Sequence, residues 1–562
     1  MIDLMAQRSC QPDQVPLTIR LGVTGHRLLP DHPRLAAAVH QALEKHLWEL
    51  FDEKTRDHLA DPAHTPVYFS IVTSLAEGAD RLVAREILRY PHASLEAVLP
   101  LTEEDYLDDF PDSDSAAEFK QLLNLAHRRV VLQPAHLKEQ IQDEDQLTLA
   151  RKQAYLAAGH YMVNHCDVLI ALWDGRPANG LGGTAEIVAY AQTFNCPIVI
   201  ISTDDGFPVS IVPGQGLNGE LLAGIEAFNA YHITDQEKKI YEENVFRDLF
   251  DNPFADALAA EDKQEVKETL IPVYVRSSLV AKHHQKVYRR TGFLVYLFSA
   301  GAVASVAIGT LYHSLFFPAY LLELLLLLLI ITLVCYMEHK HSHRHWYENR
   351  FFSERLRSAF FFVSCGLLPE RIEMPAYLHK AWQHDWMFGA FESVCQRLSG
   401  GRHQNPHSVA GKFDFIGKKW LQEQVAYHEA KAEKLQPLNH RLEQLAFSFF
   451  LAAMGSAALH LALHFIHFPW AHEIEKVLTF CAISLPAFGA AVGGIRAHRD
   501  YGRLTMQSRN QAMALRALEH HFPRCRDYQQ LQSLLHEIDK IMLAETEDWL
   551  NLVRFLKLEA AA

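Results

Sequence analysis

The sequence predicts an α/β Rossmann-like N-terminal domain followed by an all-α membrane region with about four transmembrane helices in two hairpins. Three observations predict it. Residues 15–205 alternate short β-type apolar runs with longer helical stretches, the rhythm of a parallel sheet flanked by helices. Between Arg290 and Glu323 the chain runs 32 residues without Asp, Glu, Lys or Arg, and a second charge-free region follows near residue 450. About 20 apolar residues already cross the hydrocarbon layer of a bilayer. Charge divides along the same line. Residues 1–270 carry 43 Asp or Glu against 22 Lys or Arg, a net of -21, whereas the remainder carries 24 against 31, a net of +7.

Within the front domain the expected strands are 17–23, 67–72, 95–100, 129–132, 167–173 and 197–201, each a short run rich in Val, Ile and Leu. Helices are expected over 32–51, 79–89, 116–126, 147–165 and 184–193. In such sheets ligands bind beyond the carboxyl ends of the strands, and three of those exits are unusual. After the first strand comes Gly22-Val23-Thr24-Gly25-His26-Arg27, and after the second Ser74-Leu75-Ala76-Glu77-Gly78-Ala79-Asp80-Arg81. After the fifth comes Trp173-Asp174-Gly175, then Gly182-Gly183-Thr184-Ala185-Glu186 opening a helix. Glycines permit tight turns, and free amides at a helix start cradle anions. Thr24, Gly25, Arg27, Ser74, Gly183 and Thr184 are therefore the candidates for phosphate, with Glu77, Asp80, Asp174 and Glu186 for ribose hydroxyls. Any one such loop is common for structural reasons alone; three at one sheet edge point to a shared nucleotide pocket.

These three segments resemble the SLOG superfamily, Rossmann-like domains related to LOG phosphoribohydrolases and DprA proteins, over about residues 15–205. The resemblance implies binding of a nucleotide or nucleotide-derived signal. LOG enzymes use P-G-G-x-G-T-x-x-E with a catalytic Glu; here the loop reads Gly180-Leu181-Gly182-Gly183-Thr184-Ala185-Glu186, without the Pro and with Ile187 in place of that Glu. Binding is thus expected without hydrolysis, and a membrane-tethered nucleotide phosphoribohydrolase using Glu186 or Glu77 is the alternative.

Four spans are drawn at 292–312, 316–337, 445–466 and 477–495. A turn around Pro318 joins the first pair and a link with Pro469 and Trp470 the second. Basic residues flank the open end of each hairpin: Lys282, Lys286, Arg289, Arg290, Lys340, Arg344 and Arg350 at the first, and Lys431, Lys434, Arg441, Arg496, Arg499 and Arg503 at the second. Basic flanks stay in the cytoplasm, so a multi-pass inner-membrane protein with both termini cytoplasmic is expected. Glu323, His460 and His464 fall inside spans and are the candidate pore or intramembrane polar groups. His339, His341, His343 and His345 follow the second span at i,i+4 spacing; a polar collar is expected there and no metal site. The region is similar to SLATT domains, two-span modules associated with SLOG sensors, here in tandem. That similarity implies prokaryotic antiphage or stress effectors acting on the membrane. TRPM channels offer an architectural parallel.

The expected divisions are a nucleotide-binding domain at 1–205, linker and juxtamembrane helices at 206–290, a first hairpin unit at 291–400 and a second with cytosolic helices at 401–562. Gly206 to Gly224 reads as a loop, and 359–368 as a short interfacial or core helix. An acidic front domain without a basic stripe argues against nucleic acid. Eight scattered cysteines without C-x-x-C spacing fit a reducing compartment and no metal work. No cofactor is called for beyond the nucleotide-derived ligand, ADP-ribose-like or cyclic. The expected protein is a homo-oligomeric effector or channel in the lipid bilayer that such a signal gates, with no catalysis required.

Overall fold

The computed structural model describes residues 9–29, 32–50, 56, 65–110, 112–133, 135–177, 181–214, 219–369, 371, 385–399, 409–463, 465, 471–521 and 527–555. The chain divides into two compact units. The first comprises residues 1–234, 264–273 and 366–404, and the second residues 235–263, 274–365 and 405–562.

The first unit is built on seven strands: β1 (Leu17–Gly25), β2 (Val67–Thr73), β3 (Ser94–Leu99), β4 (Arg128–Val131), β5 (Val168–Leu172), β6 (Ile198–Ile201) and β7 (Val209–Val212). Their order is β4-β3-β2-β1-β5-β6-β7, parallel throughout except for β7. β2 is buried along its whole length and β1 nearly so, the pattern of central parallel strands covered on both faces. Those faces carry helices α1 (His32–Glu49), α2 (Ala79–Ile87), α3 (Ser113–Leu125), α4 (Glu144–His165), α5 (Thr184–Thr193) and α6 (Gly219–Ala230). From β1 the chain winds one way to β2, β3 and β4, then returns to place β5 on the other side of β1. The ends of β1 and β5 lie side by side, with Gly25 opposite Leu172. That reversal opens a crevice.

Two departures from the expected elements lie in one segment. β7 and α6 occupy most of what reads as a Gly-rich loop between Gly206 and Gly224. β7 is four residues bounded by Pro208 and Pro213, which suits only a sheet edge. Its ladder with β6, not its own propensity, makes it a strand.

The sheet unit also recruits chain from beyond residue 205. Phe228 on α6 packs on Trp386 with ring centroids 5.5 Å apart, and Gly224 lies against the same indole. Trp386 begins the helix Trp386–Cys395. Arg371 forms a bidentate pair with Glu96 of β3 at 2.5 and 2.8 Å and holds Glu392 at 2.8 Å. Burial favours the neutral form of Glu392, but Arg371 and Arg128 prevail and hold its carboxyl down at about 2. Arg20 in β1 donates to Asp167 at 2.8 and 3.2 Å. Residues 366–404, placed by sequence with the first hairpin, thus group with the sheet.

The second unit is helical. α7 (Asp235–Phe250) precedes two long helices, α8 (Ile271–Leu311) and α9 (Phe316–His339). A 3-10 turn at His313–Leu315 joins them, and Pro318 falls in the first turn of α9, where its missing N–H costs nothing. Ser305 donates to the Ala319 carbonyl at 2.6 Å and secures the hairpin. His341, in left-handed conformation at φ 46°, separates α9 from α10 (Ser342–Ser364). The apolar run beginning at Ala359 ends α10 and is core: Phe360, Phe361 and Phe362 are buried, and Phe361 stacks on Trp420 at 4.6 Å. The other long helices are α11 (Glu423–Leu463), α12 (Ala471–Arg499), α13 (Tyr501–His521) and α14 (Tyr528–Phe555). Leu531, Leu534, Leu535 and Ile538 form a buried helical stripe on α14, and Arg355 meets Asp539 at 2.9 Å.

Among the described residues four helices are long and apolar enough to cross a membrane, 260–311, 313–339, 409–463 and 472–520, and an 18-residue window in each has a mean hydropathy of 1.9, 2.5, 1.7 and 1.8 respectively. They turn large apolar side chains outward, among them Leu324, Leu328 and Ile331 on α9 and Phe447, Phe450 and Met454 on α11. Outward Leu and Phe in such density suit lipid better than water.

Candidate functional site

The exits of β1, β2 and β5 converge on one cavity of about 1070 Å³ at the crevice between β1 and β5. Thr24, Gly25, His26 and Arg27 enter from the first loop, Ser74 and Asp80 from the second, and Asp174, Gly182, Gly183 and Thr184 from the third. Gly22, Glu77, Gly78, Arg81, Gly175 and Glu186 are not among the lining residues.

Those six have other placements. Gly22 lies beneath Cys166 and Met162, where a Cβ would sit 2.9 Å from the thiol sulfur. Gly78, at φ 84°, passes the Arg27 and His26 carbonyls so closely that a Cβ would lie 2.2 Å from the Arg27 oxygen. Only glycine fits that crossing. Arg81 is buried, donating to the Leu75 carbonyl at 3.1 Å and to Ser115 and Glu118, with its guanidinium 4.5 Å from the Phe110 ring. It ties α2 to α3. Glu186 folds back so that its carboxylate accepts the Gly182 amide at 2.7 Å, organising the loop ahead of α5. Gly182 needs its φ of 80° to make that turn. Glu77 is half-buried, and Gly175 is exposed at φ 78°.

Within the cavity α5 presents its N-terminus. Gly183 caps the helix without a side-chain hydrogen bond, and the first amides among the described residues to find a backbone partner are those of Glu186 and Ile187, both on the Gly183 carbonyl. The preceding amides are the donors that an anion takes at a helix start. Asp80 is buried at the floor. Burial raises its carboxyl to about 6, although Thr73 donates to it at 2.9 Å and the Ala76 amide at 3.3 Å. His26 Nε2 lies 3.1 Å from Asp174, whose carboxyl the Arg176 amide, His26 and the Arg176 side chain hold below the ordinary carboxylate range.

The sequence loops left out one wall. α4 contributes Lys152, Tyr155, Ala158, Gly159 and Met162, residues that share one helical face. Gly159 brings α4 against α5, where a Cβ would lie 2.2 Å from Ile187. Asp109 anchors the rim, accepting from Arg151 at 2.5 Å and from Tyr155, with Arg27 at 3.5 Å. Burial and Asp109 push the Tyr155 phenol up to about 12, so it keeps its proton at neutral pH. Arg27, Lys152 and Arg176 face the carboxylates of Asp80 and Asp174 across the lining, and Lys152 has no ion-pair partner among the described residues. The stripe 152/155/159/162 was visible as helical spacing, but nothing in it marks a cavity wall.

In the helical unit, Glu323 shares a face of α9 with Ala319, Leu326 and Ile330, the face that meets Ser305 and Gly301 of α8. His460 lies 3.5 Å from Thr479 on α12. His464 lies outside the described residues. The break at His341 separates His339 from His343, so the i,i+4 spacing does not continue along one helix. His343 packs 4.6 Å from Tyr288, and burial lowers its imidazole to about 4. Among the described residues no group of three or more His, Cys, Asp or Glu could hold a metal ion.

No protein-family model, curated protein or solved structure matches the chain.

Proposed function

We propose that the sheet unit binds a phosphorylated, nucleotide-derived ligand and that the protein is a membrane effector gated by that ligand. The observation that carries the reading is the coincidence of the uncapped α5 N-terminus with Arg27, Lys152 and Arg176 around one cavity at the strand-order reversal. The cavity volume, about 1070 Å³, reaches the upper end of the roughly 300–1,000 Å³ of ordinary small-molecule sites. That size favours a ligand larger than a mononucleotide, ADP-ribose-like or cyclic. The likeness of the three loops to SLOG domains, and of the hairpins to SLATT modules, supports a signalling role in prokaryotic antiphage or stress response. Hydrolysis is disfavoured by Glu186, whose carboxylate is spent on the Gly182 amide, and by Glu77, which is absent from the lining. The four apolar helices supply the bilayer contact, and the effector acts as an oligomer, because four spans are few to enclose a conducting path.

The test uses the full-length protein. Mass spectrometry of small molecules retained on purification should find a phosphorylated nucleotide derivative. Thr184→Arg together with Arg27→Ala should reduce its occupancy at least about tenfold, the scale of losing one charge-assisted contact. Liposome leakage triggered by the retained compound should disappear with it. Retention of the compound by this variant, or release of free base from it by the wild type, would sink the reading in favour of an unrelated site or the hydrolase.

A further inference from the structure

The first and fourth spans interlock at the ends where the basic flanks lie. His498 on α12 fills the place left by Gly292 on α8, where a Cβ would sit 2.1 Å from the imidazole Nε2. Four residues along each helix the roles reverse: Tyr296 of α8 covers Gly494 of α12, where a Cβ would sit 2.4 Å from the phenol ring. The pairs 292/498 and 296/494 therefore mesh as an antiparallel clasp. His498 also lies against Tyr288, with rings 4.4 Å apart and Nε2 3.4 Å from the Tyr288 carbonyl.

This clasp brings together the residues next in sequence, Arg289 and Arg499. Arg289 and Arg499 each adjoin a clasp residue, Tyr288 and His498, and the charges of Arg499 and Arg350 both act against the charge of Arg289. Other arginines nearby have carboxylates: Arg496 faces Glu443 at 3.5 Å, Arg344 faces Glu348 at 2.6 Å, and Arg503 holds Asp500. Arg289 and Arg499 have none within ion-pair distance among the described residues. Arg499 Nε is buried and finds no hydrogen-bond acceptor. Like charges side by side and a buried donor without an acceptor both cost free energy, and one anion relieves both. Tyr288 packs against Trp346, ring centroids 5.3 Å apart, beside the clasp, and Tyr, Trp and Arg at span ends mark headgroup depth.

We propose that Arg289 and Arg499, set side by side by the Gly292–His498 clasp, bind the phosphate of an acidic phospholipid headgroup. Basic pockets between spans on the cytoplasmic side suit such headgroups, and the lipid is favoured over free phosphate because the pair lies at the ends of two apolar spans. This inference is independent of the nucleotide cavity.

The full-length protein in detergent is titrated with short-chain phosphatidylglycerol, phosphatidylcholine and inorganic phosphate while the thermal midpoint is followed. Phosphatidylglycerol alone should raise the midpoint, by about 5 °C near saturation. The double variant Arg289→Gln, Arg499→Gln should lose about thirty-fold in phosphatidylglycerol affinity, whereas Arg290→Gln, at an exposed neighbour, should not change it. Arg499→Lys, which keeps the charge but lacks Nε, should fall between them and decides the matter if the double variant does not fold. An equal response to inorganic phosphate, or unchanged phosphatidylglycerol affinity in the double variant or in Arg499→Lys, would overturn the assignment.

Discussion

The two units treat buried charge differently. In the sheet unit Arg20 faces Asp167, Arg81 faces Glu118, and Arg371 bridges Glu96 and Glu392. In the helical unit Arg355 follows the same rule with Asp539, but Arg289 and Arg499 have no carboxylate within ion-pair distance among the described residues. The contrast separates two uses of arginine. Where a guanidinium meets carboxylates on every side it holds chain segments together; where its neighbours are cations or helix amides, an anion is the missing element. Lys152 at the cavity likewise has no carboxylate within ion-pair distance among the described residues, whereas Arg81, beside the cavity loops, has Glu118.

Three substitutions would break or sharpen that contrast. Arg371→Ala should have the largest effect. It strands Glu96 and Glu392 in the interior, and loss of one partner from such a cluster costs about 3–5 kcal/mol, read as a lowered thermal midpoint of the full-length protein. A midpoint near wild type would mean that the cluster is not what seats residues 366–404. Asp80→Asn should act in the opposite direction. The Asp80 carboxyl is raised in the folded state to about 6 from an unfolded value near 3.8, so its contribution is fully present below the lower value and lost as pH rises through the higher. At pH 8 the ionised group then opposes folding by up to about 3 kcal/mol. Asn should therefore stabilise at pH 8 and flatten the stability profile between pH 4 and 6; an unaltered profile would show that Asp80 titrates as an ordinary carboxyl. Glu186→Ala should have the smallest effect, about 1 kcal/mol for the unpaired Gly182 amide, with a small drop in ligand occupancy. A complete loss of turnover in an assay that the wild type passes would instead give Glu186 a chemical role.

Much of the sheet unit was legible because its elements are locally consistent. All six expected strands form, and α5 spans 184–193 as its composition predicts. The convergence of the Thr24, Ser74 and Thr184 loops followed from parallel topology alone. What escaped depends on distant partners. β7 exists because β6 offers an edge, and the Trp386–Cys395 helix joins the sheet unit through Phe228 and Gly224, more than 150 positions away. Arg81 and Glu186 looked like ligand residues because motif spacing places them beside the loops; their direction is set by Ser115 and Gly182, which spacing does not encode. The four long apolar helices were plain from composition, while the Gly292–His498 clasp was not, since glycine inside such a helix signals close approach without naming the neighbour.

The sheet unit draws on three stretches of chain, the last ending near residue 404. A ribosome therefore releases the seven strands long before it releases Trp386 and Arg371. With 170 residues between positions 234 and 404 and synthesis at about 5–20 residues per second, the wait is roughly 10–30 s. During it α8 and α9, which lie in two of the stretches long and apolar enough to cross a membrane, are synthesised. Completion of the sheet unit is thereby placed after synthesis of the first two long apolar helices, so that a chain halted before residue 366 lacks the segment that finishes its own domain.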